Sequence, residues 1–158
     1  MKGIQPCLVF DDQTAEAVSL YVSVIPNSRI VSMMHSEGDG PIPGGKVQYA
    51  TFELDGRELM AFDGGPSFSF STGASLFVAC DTQEEIDEIS ARLIEGGGEQ
   101  GPCGWLTDRF GLSWQIVPAA LGEMLGDPAS GNSKKVTEAM LGMRKLDIAA
   151  LRAAYREG

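Results

Sequence analysis

The chain has 158 residues, a formal net charge of −10, and a composition that is 43% hydrophobic and 22% charged. It is long enough to bury a proper core, too acidic to suit nucleic acid or an anionic membrane as a partner, and has no apolar run of the length a membrane helix needs. Three cysteines, Cys7, Cys80 and Cys103, are odd in number and widely spaced, which predicts reduced thiols, not a disulfide framework or a zinc knuckle. No charged start followed by an apolar core opens the sequence, so a cytoplasmic protein of one domain, residues 1–158, is expected.

Residues 3–10 form a short apolar run with alternation and predict a strand ended by Asp11 and Asp12. Thr14 is the expected N-cap of a helix from Ala15 to about Val24, with Glu16 in its first turn beside the positive dipole end. Val18, Tyr21, Val22 and Ile25 recur at helical spacing and predict its buried face. Strands are expected over 28–34, 46–54 and 57–62. The stretch 35–45 reads as a flexible Gly-rich loop, and Asp55-Gly56 is a strong hairpin signal. Asp63-Gly64-Gly65-Pro66 then breaks the chain ahead of a polar and aromatic connector.

The pattern restarts with a strand over 74–80. Thr82 and Glu85 form a capping-box arrangement for a helix to about Glu95, with Ile86, Ile89, Leu93 and Ile94 on its buried face and Gly96-Gly97-Gly98 as its stop. A hairpin follows: strands over Trp105 to Thr107 and Leu112 to Val117, joined by Asp108-Arg109-Phe110-Gly111, with Pro118 ending the second. The order strand–helix–strands thus occurs twice, over 3–64 and 74–118. Helices are expected over 119–125, from Ser133 as cap through Met143, and over 146–155, with a loop at 127–132. They read as too polar for a core of their own. From Ser133 onward six Lys/Arg stand against three Asp/Glu, so residues 1–132 carry −13. Solvated helix faces, or a basic tail docked on its own domain or a second subunit, both explain this asymmetry.

Familiar catalytic patterns are missing. The Gly triplet follows a helix and so reads as a helix stop, not as the strand-to-helix turn of a nucleotide site, and no phosphate-binding loop with a following Lys-Ser/Thr occurs. His35 is the only histidine, has no nucleophile elbow to serve, and reads as a surface residue. Cys103 has no nearby cation except Arg109, so it reads as a buried, inert thiol. Asp108 and Arg109 read either as a catalytic pair or as a turn Asp beside a solvated or ion-paired Arg.

The hairpin segment, with Phe62-Asp63-Gly64-Gly65-Pro66, Phe70 and the stretch Ala139-Met140-Leu141-Gly142-Met143-Arg144-Lys145-Leu146-Asp147-Ile148, resembles the PhnB-like family, often labelled 3-demethylubiquinone-9 3-methyltransferase. That family lies within the glyoxalase/bleomycin-resistance, or vicinal oxygen chelate, superfamily. The resemblance implies an α+β fold of paired βαβββ modules curled around a cleft, here 3–66 and 74–118, with a helical extension over 119–158, in a homodimer. Its metalloenzymes place four His, Glu or Gln ligands on the first and last strand of each module. Those positions fall on Gln5, Met60, Ser75 and Gln115. Two amides, a thioether and a hydroxyl offer no charge to offset dehydration of a dication, so no tightly bound metal and no other cofactor is expected. The Gly-rich turn and following acidic residue of an S-adenosylmethionine site are also missing from the sequence.

Strand alternation from those four positions predicts a cleft lined by Gln5, Cys7, Val9, Met60, Phe62, Ser75, Phe77, Ser113, Gln115 and Val117, with Trp105 at its mouth. Leu8, Leu59, Ala61, Val78, Trp114 and Ile116 are expected on the opposite, helix-covered face. Three readings follow: a module that sequesters a small, partly hydrophobic ligand; a metal-free enzyme with Gln5, Gln115 and Glu58 or Asp108 as polar participants; or a structural dimer with a degenerate site.

Overall fold

The structure, a computed structural model, describes residues 1, 3–126 and 132–157. Residues 127–131 of the expected loop lie outside the described residues. The chain divides into two compact units, Met1–Ser69 and Phe70–Gly158. Unit one runs β1 (Cys7–Phe10), α1 (Thr14–Val24), β2 (Arg29–His35), β3 (Val47–Leu54) and β4 (Arg57–Asp63). Unit two runs β5 (Ser75–Cys80), α2 (Gln83–Ile94), β6 (Glu99–Gln100), β7 (Trp105–Thr107) and β8 (Ser113–Pro118), followed by α3 (Ala119–Leu125), α4 (Ser133–Leu141) and α5 (Ile148–Arg156). The sheet orders are β1-β4-β3-β2 and β5-β8-β7-β6, the same topology twice. In each, the first strand runs parallel to the last. This is the glyoxalase-type α+β fold with a helical C-terminal extension.

In unit one, one sheet face carries Leu8, Phe10, Ala50, Phe52, Leu59 and Ala61, all buried with Ala17, Val18 and Tyr21 of α1. Phe10 and Tyr21 meet with ring centroids 6.3 Å apart. The Asp55-Gly56 turn has φ of 48° and 72°, the left-handed pair that lets a two-residue turn follow the twist of its strands. The loop after β2 is tied to itself: Ser36 exchanges backbone bonds with Lys46 and Gly45, and its hydroxyl donates to the Ile42 carbonyl.

Three sequence expectations change here. β1 begins at Cys7, not residue 3, because Pro6 has no N–H to give the ladder; its carbonyl still accepts from Met60 N at 2.9 Å. Thr14 does not cap α1. It lies inside the helix, fully buried, and Gln13 precedes it without a side-chain cap bond. The cap comes from β4: Asp63 Oδ1 accepts from Thr14 N at 3.0 Å while Oδ2 accepts from Val47 N at 2.8 Å. The buried face of α1 includes Ala17 and Val24, whereas Val22 is only half-buried.

In unit two the Thr82–Glu85 capping box forms as expected, and Ile86, Ile89, Ser90 and Leu93 face the sheet. Gly96 and Gly97 take positive φ after the helix. The two-residue β6 is missed by a sequence reading because it is too short for alternation to register. Pro118 belongs to β8, paired with Cys80 at the sheet margin. Ser133 is the first residue of α4 and makes no cap bond there; α4 ends at Leu141 and α5 starts at Ile148, with Asp147 Oδ1 accepting from Ala150 N at 2.8 Å.

The C-terminal helices do build a core. Val117, Leu121, Met124, Val136, Leu146 and Leu151 form one buried cluster, so Val117 packs under α3–α5 rather than lining a cleft. The turn between α4 and α5 docks on the hairpin. Cys103 N donates to Met143 O at 2.9 Å and Gly104 N to Arg144 O at 2.7 Å. Gln83 clamps it from α2, its amide nitrogen donating to Leu146 O at 3.1 Å and its oxygen accepting from Ile148 N at 2.9 Å. Lys145 pairs with Asp87 at 2.6 Å, and Arg144 donates to the Gln100 carbonyl. Part of the tail's basic charge is therefore spent on its own module.

Candidate functional site

Each sheet has one helix-covered face and one open face, and the assignment follows strand alternation. Leu59, Ala61, Trp114 and Ile116 are buried on the covered faces, with Leu8 close behind; Val78, on the edge strand β5, is only half-buried. The opposite positions are the expected site residues. In unit one, Cys7 is exposed and pairs in register with Met60, and Val9 with Phe62; Val9, Met60 and Phe62 are half-buried. Gln5 is exposed, precedes β1, and donates from Nε2 to Glu58 Oε1 at 3.1 Å. In unit two, Ser75 pairs with Ser113 and Phe77 with Gln115, while Trp105 pairs with Gln115 from the other side. Gln115 Nε2 donates to Ser75 Oγ at 2.9 Å. The Cys7–Met60 pair matches the Phe77–Gln115 pair, so Gln5 and Met60 occupy the same diagonal in the first sheet as Ser75 and Gln115 in the second.

An open depression of about 390 Å³ lies beside this second face, lined by Thr72, Gly101, Pro102, Trp105, Leu106, Thr107 and Ser113. Trp105 and Ser113 were expected there. Thr107 shares a strand face with Trp105, so hairpin parity alone locates it; Thr72, Gly101 and Pro102 carry no sequence signal. No lining residue is ionisable.

The candidate acids and nucleophiles are otherwise employed. Asp108 is 2% exposed and organises the turn: Oδ1 accepts from Phe110 N at 2.9 Å and Leu112 N at 3.0 Å, and Oδ2 from Trp114 Nε1 at 2.9 Å. It is the keystone of the hairpin, and the catalytic-pair reading of Asp108 and Arg109 falls. Arg109 lies over the Phe110 ring at 4.7 Å. Burial raises the Cys7 thiol and pushes Cys80 up to about 11, with Glu85 and Asp81 adding to the latter; both keep their protons near neutral pH. His35 is exposed at the end of β2. Among the described residues no three His, Cys, Asp or Glu side chains converge as metal ligands, and no helix is long and apolar enough to cross a membrane.

The family model described as 3-demethylubiquinone-9 3-methyltransferase matches residues 2–117. No protein of the curated set matches the chain. Among solved structures, the PhnB protein from Bacillus cereus is 35% identical, with 75% of this chain and 100% of that chain covered and a TM-score of 0.68. A protein from Pseudomonas aeruginosa is 28% identical over 75% of this chain and 98% of its own, TM-score 0.59. The fosfomycin resistance protein FosX from Listeria monocytogenes, solved with Mn(II) and 1S,2S-dihydroxypropylphosphonic acid, shares the fold at 16% identity and a TM-score of 0.57, over 79% of this chain and 98% of its own. From the length of the family match and the likeness to the Bacillus protein, the chain belongs to the PhnB-like, 3-demethylubiquinone-9 3-methyltransferase family.

Proposed function

We propose that this protein binds a small, partly hydrophobic molecule on the open faces of its sheets and holds no metal tightly. The observation that carries the reading is the donor set. FosX is described with Mn(II), but the positions that correspond to superfamily ligands here are Gln5, Met60, Ser75 and Gln115. Two amides, a thioether and a hydroxyl do not suit a hard dication, which wants imidazole or carboxylate. The amides are moreover engaged by Glu58 and Ser75. A neutral amide orients a ligand but does not take a proton near neutral pH, which favours binding over acid–base catalysis. Methyl transfer finds no support in a Gly-rich strand-to-helix turn, since Gly96 and Gly97 stop a helix.

The remaining expectations join this proposal: one functional domain over residues 1–158, a cytoplasmic location in keeping with three unpaired cysteines, and a homodimer. β2 supports the last. It is an edge strand with Ile30, Val31 and Met34 exposed, a surface that soluble proteins usually protect.

Two measurements test the reading. Calorimetric titration of chelator-stripped protein with Zn²⁺, Ni²⁺ and Mn²⁺ is expected to show no submicromolar site; such a site overturns the metal-free claim. A thermal-shift screen of uncharged aromatics, aromatic acids and antibiotics is expected to yield concentration-dependent stabilisation. Silence across all three classes leaves a structural dimer in its place.

A further inference from the structure

Three side chains cross the open face of the second sheet in one row. Phe77 on β5, Gln115 on β8 and Trp105 on β7 are register partners. Phe77 is 61% exposed, a large apolar cost for a strand residue with no evident structural duty. Trp105 is half-buried and walls the uncharged depression. Phe77 and Trp105 stand two strands apart, roughly 9.5 Å at the usual strand spacing. Aromatic pairs favour centroid separations of about 4.5–7 Å. One ring placed over Gln115 is therefore within stacking distance of both walls.

The floor sets the chemistry of the ring's edge. Gln115 spends an N–H on Ser75 Oγ at 2.9 Å. That leaves the Gln115 amide oxygen as an acceptor and the Ser75 hydroxyl as a donor, side by side. A ligand hydroxyl, which both donates and accepts, satisfies the pair. A carboxylate only accepts and would meet the amide oxygen with no cation among Ser75, Phe77, Trp105, Ser113 and Gln115 to offset its charge.

The geometry points to a slot for one flat, uncharged aromatic ring bearing a hydroxyl, stacked between Phe77 and Trp105 with its polar edge on Gln115 and Ser75. This rests on the small-molecule reading above and names the ligand's class. It is tested on the full chain by calorimetry with four probes: 2-naphthol, its charged analogue 2-naphthoate, its saturated analogue 2-decalol and the parent naphthalene. The wild type is expected to bind 2-naphthol at least tenfold more tightly than 2-naphthoate or 2-decalol. Phe77→Ala, a change at an exposed side chain, and Trp105→Leu are each expected to cost about tenfold, whereas Trp105→Phe retains binding. Gln115→Leu is expected to abolish the preference for 2-naphthol over naphthalene. Equal binding of 2-decalol and 2-naphthol, or unchanged affinity in Phe77→Ala, overturns the slot while leaving a small-molecule site elsewhere intact. So does a Phe77→Ala protein whose sedimentation shifts from dimer to monomer with binding unaltered, since Phe77 is then an interface residue. No binding of any probe also overturns the slot; the broader reading falls only if the thermal-shift screen is silent as well.

Discussion

Trp114 donates its indole N–H to Asp108 Oδ2 at 2.9 Å, and both side chains are buried, at 0% and 2% exposure. With two backbone N–H groups on Oδ1, the carboxylate accepts three hydrogen bonds from within the hairpin. Asp108→Asn turns an N–H toward the indole N–H and strands two buried donors. The expected loss is about 2–4 kcal/mol, read as a lowered urea midpoint with an unchanged slope. Trp114→Phe is expected to destabilise as well, by removing the indole hydrogen bond to Oδ2. An Asp108→Asn protein as stable as the wild type refutes the structural role.

Gly104 sits where the hairpin meets the turn between α4 and α5. A Cβ there would lie 2.6 Å from the Ile116 carbonyl oxygen and 3.0 Å from Leu146 Cδ1, on a backbone with φ of +80°. Neither the oxygen nor the buried leucine has room to retreat. Gly104→Ala is expected to cost at least about 2 kcal/mol and to loosen residues 143–156. Limited proteolysis reads this as cleavage between α4 and α5 that the wild type resists.

The Lys145–Asp87 pair contributes a smaller, pH-dependent increment. The Lys145 ammonium first, and the Gln83 amide second, hold the Asp87 carboxyl below the usual carboxylate range. A carboxylate lowered on folding stabilises above its unfolded value and loses that contribution as pH falls through its folded one. Both side chains are nearly half exposed, so Lys145→Ala is expected to cost less than about 1 kcal/mol at neutral pH. The difference from wild type is expected to shrink in 1 M salt and to vanish in acid, below the folded Asp87 value. Denaturant melts across that pH range measure it.

Cys80 titrates in the opposite sense. Its burial keeps the thiol protonated up to about 11, so the stability this provides is intact below the unfolded thiol value and is lost as pH rises through the folded one. A thiol reagent at pH 8 is expected to leave Cys80 unmodified in the native protein and to reach it in urea. Cys7, exposed but with a raised thiol, is expected to react slowly for its exposure. Rapid native labelling of Cys80, mapped by mass spectrometry, contradicts the structure.

Local signals in the sequence marked most elements. Thr82–Glu85 formed a capping box because its bonds span only three residues, and Asp55-Gly56 formed its turn because both residues tolerate positive φ. Alternation sorted Leu59, Ala61, Trp114 and Ile116 from Met60 and Gln115, because a strand sends neighbours to opposite faces whatever surrounds it. The elements missed were those whose partners are distant in the chain. Thr14 looked like a cap, but the acceptor is Asp63, 49 residues on. Asp108 is the exception: its partners Phe110, Leu112 and Trp114 lie within six residues, but residue identity alone does not say whether a turn Asp is held by such bonds. The C-terminal helices looked too polar for a core, yet Val117, Val136 and Leu151 cluster because the α4–α5 turn is pinned to Cys103, Gly104 and Gln83. The sequence by itself determined the repeated module, the family and the uncharged donor set, since these depend on residue identity and short-range pattern. Tertiary structure decided which polar groups are already satisfied and which aromatic side chains stand in register across strands, because hydrogen bonds and stacking are set by proximity in space.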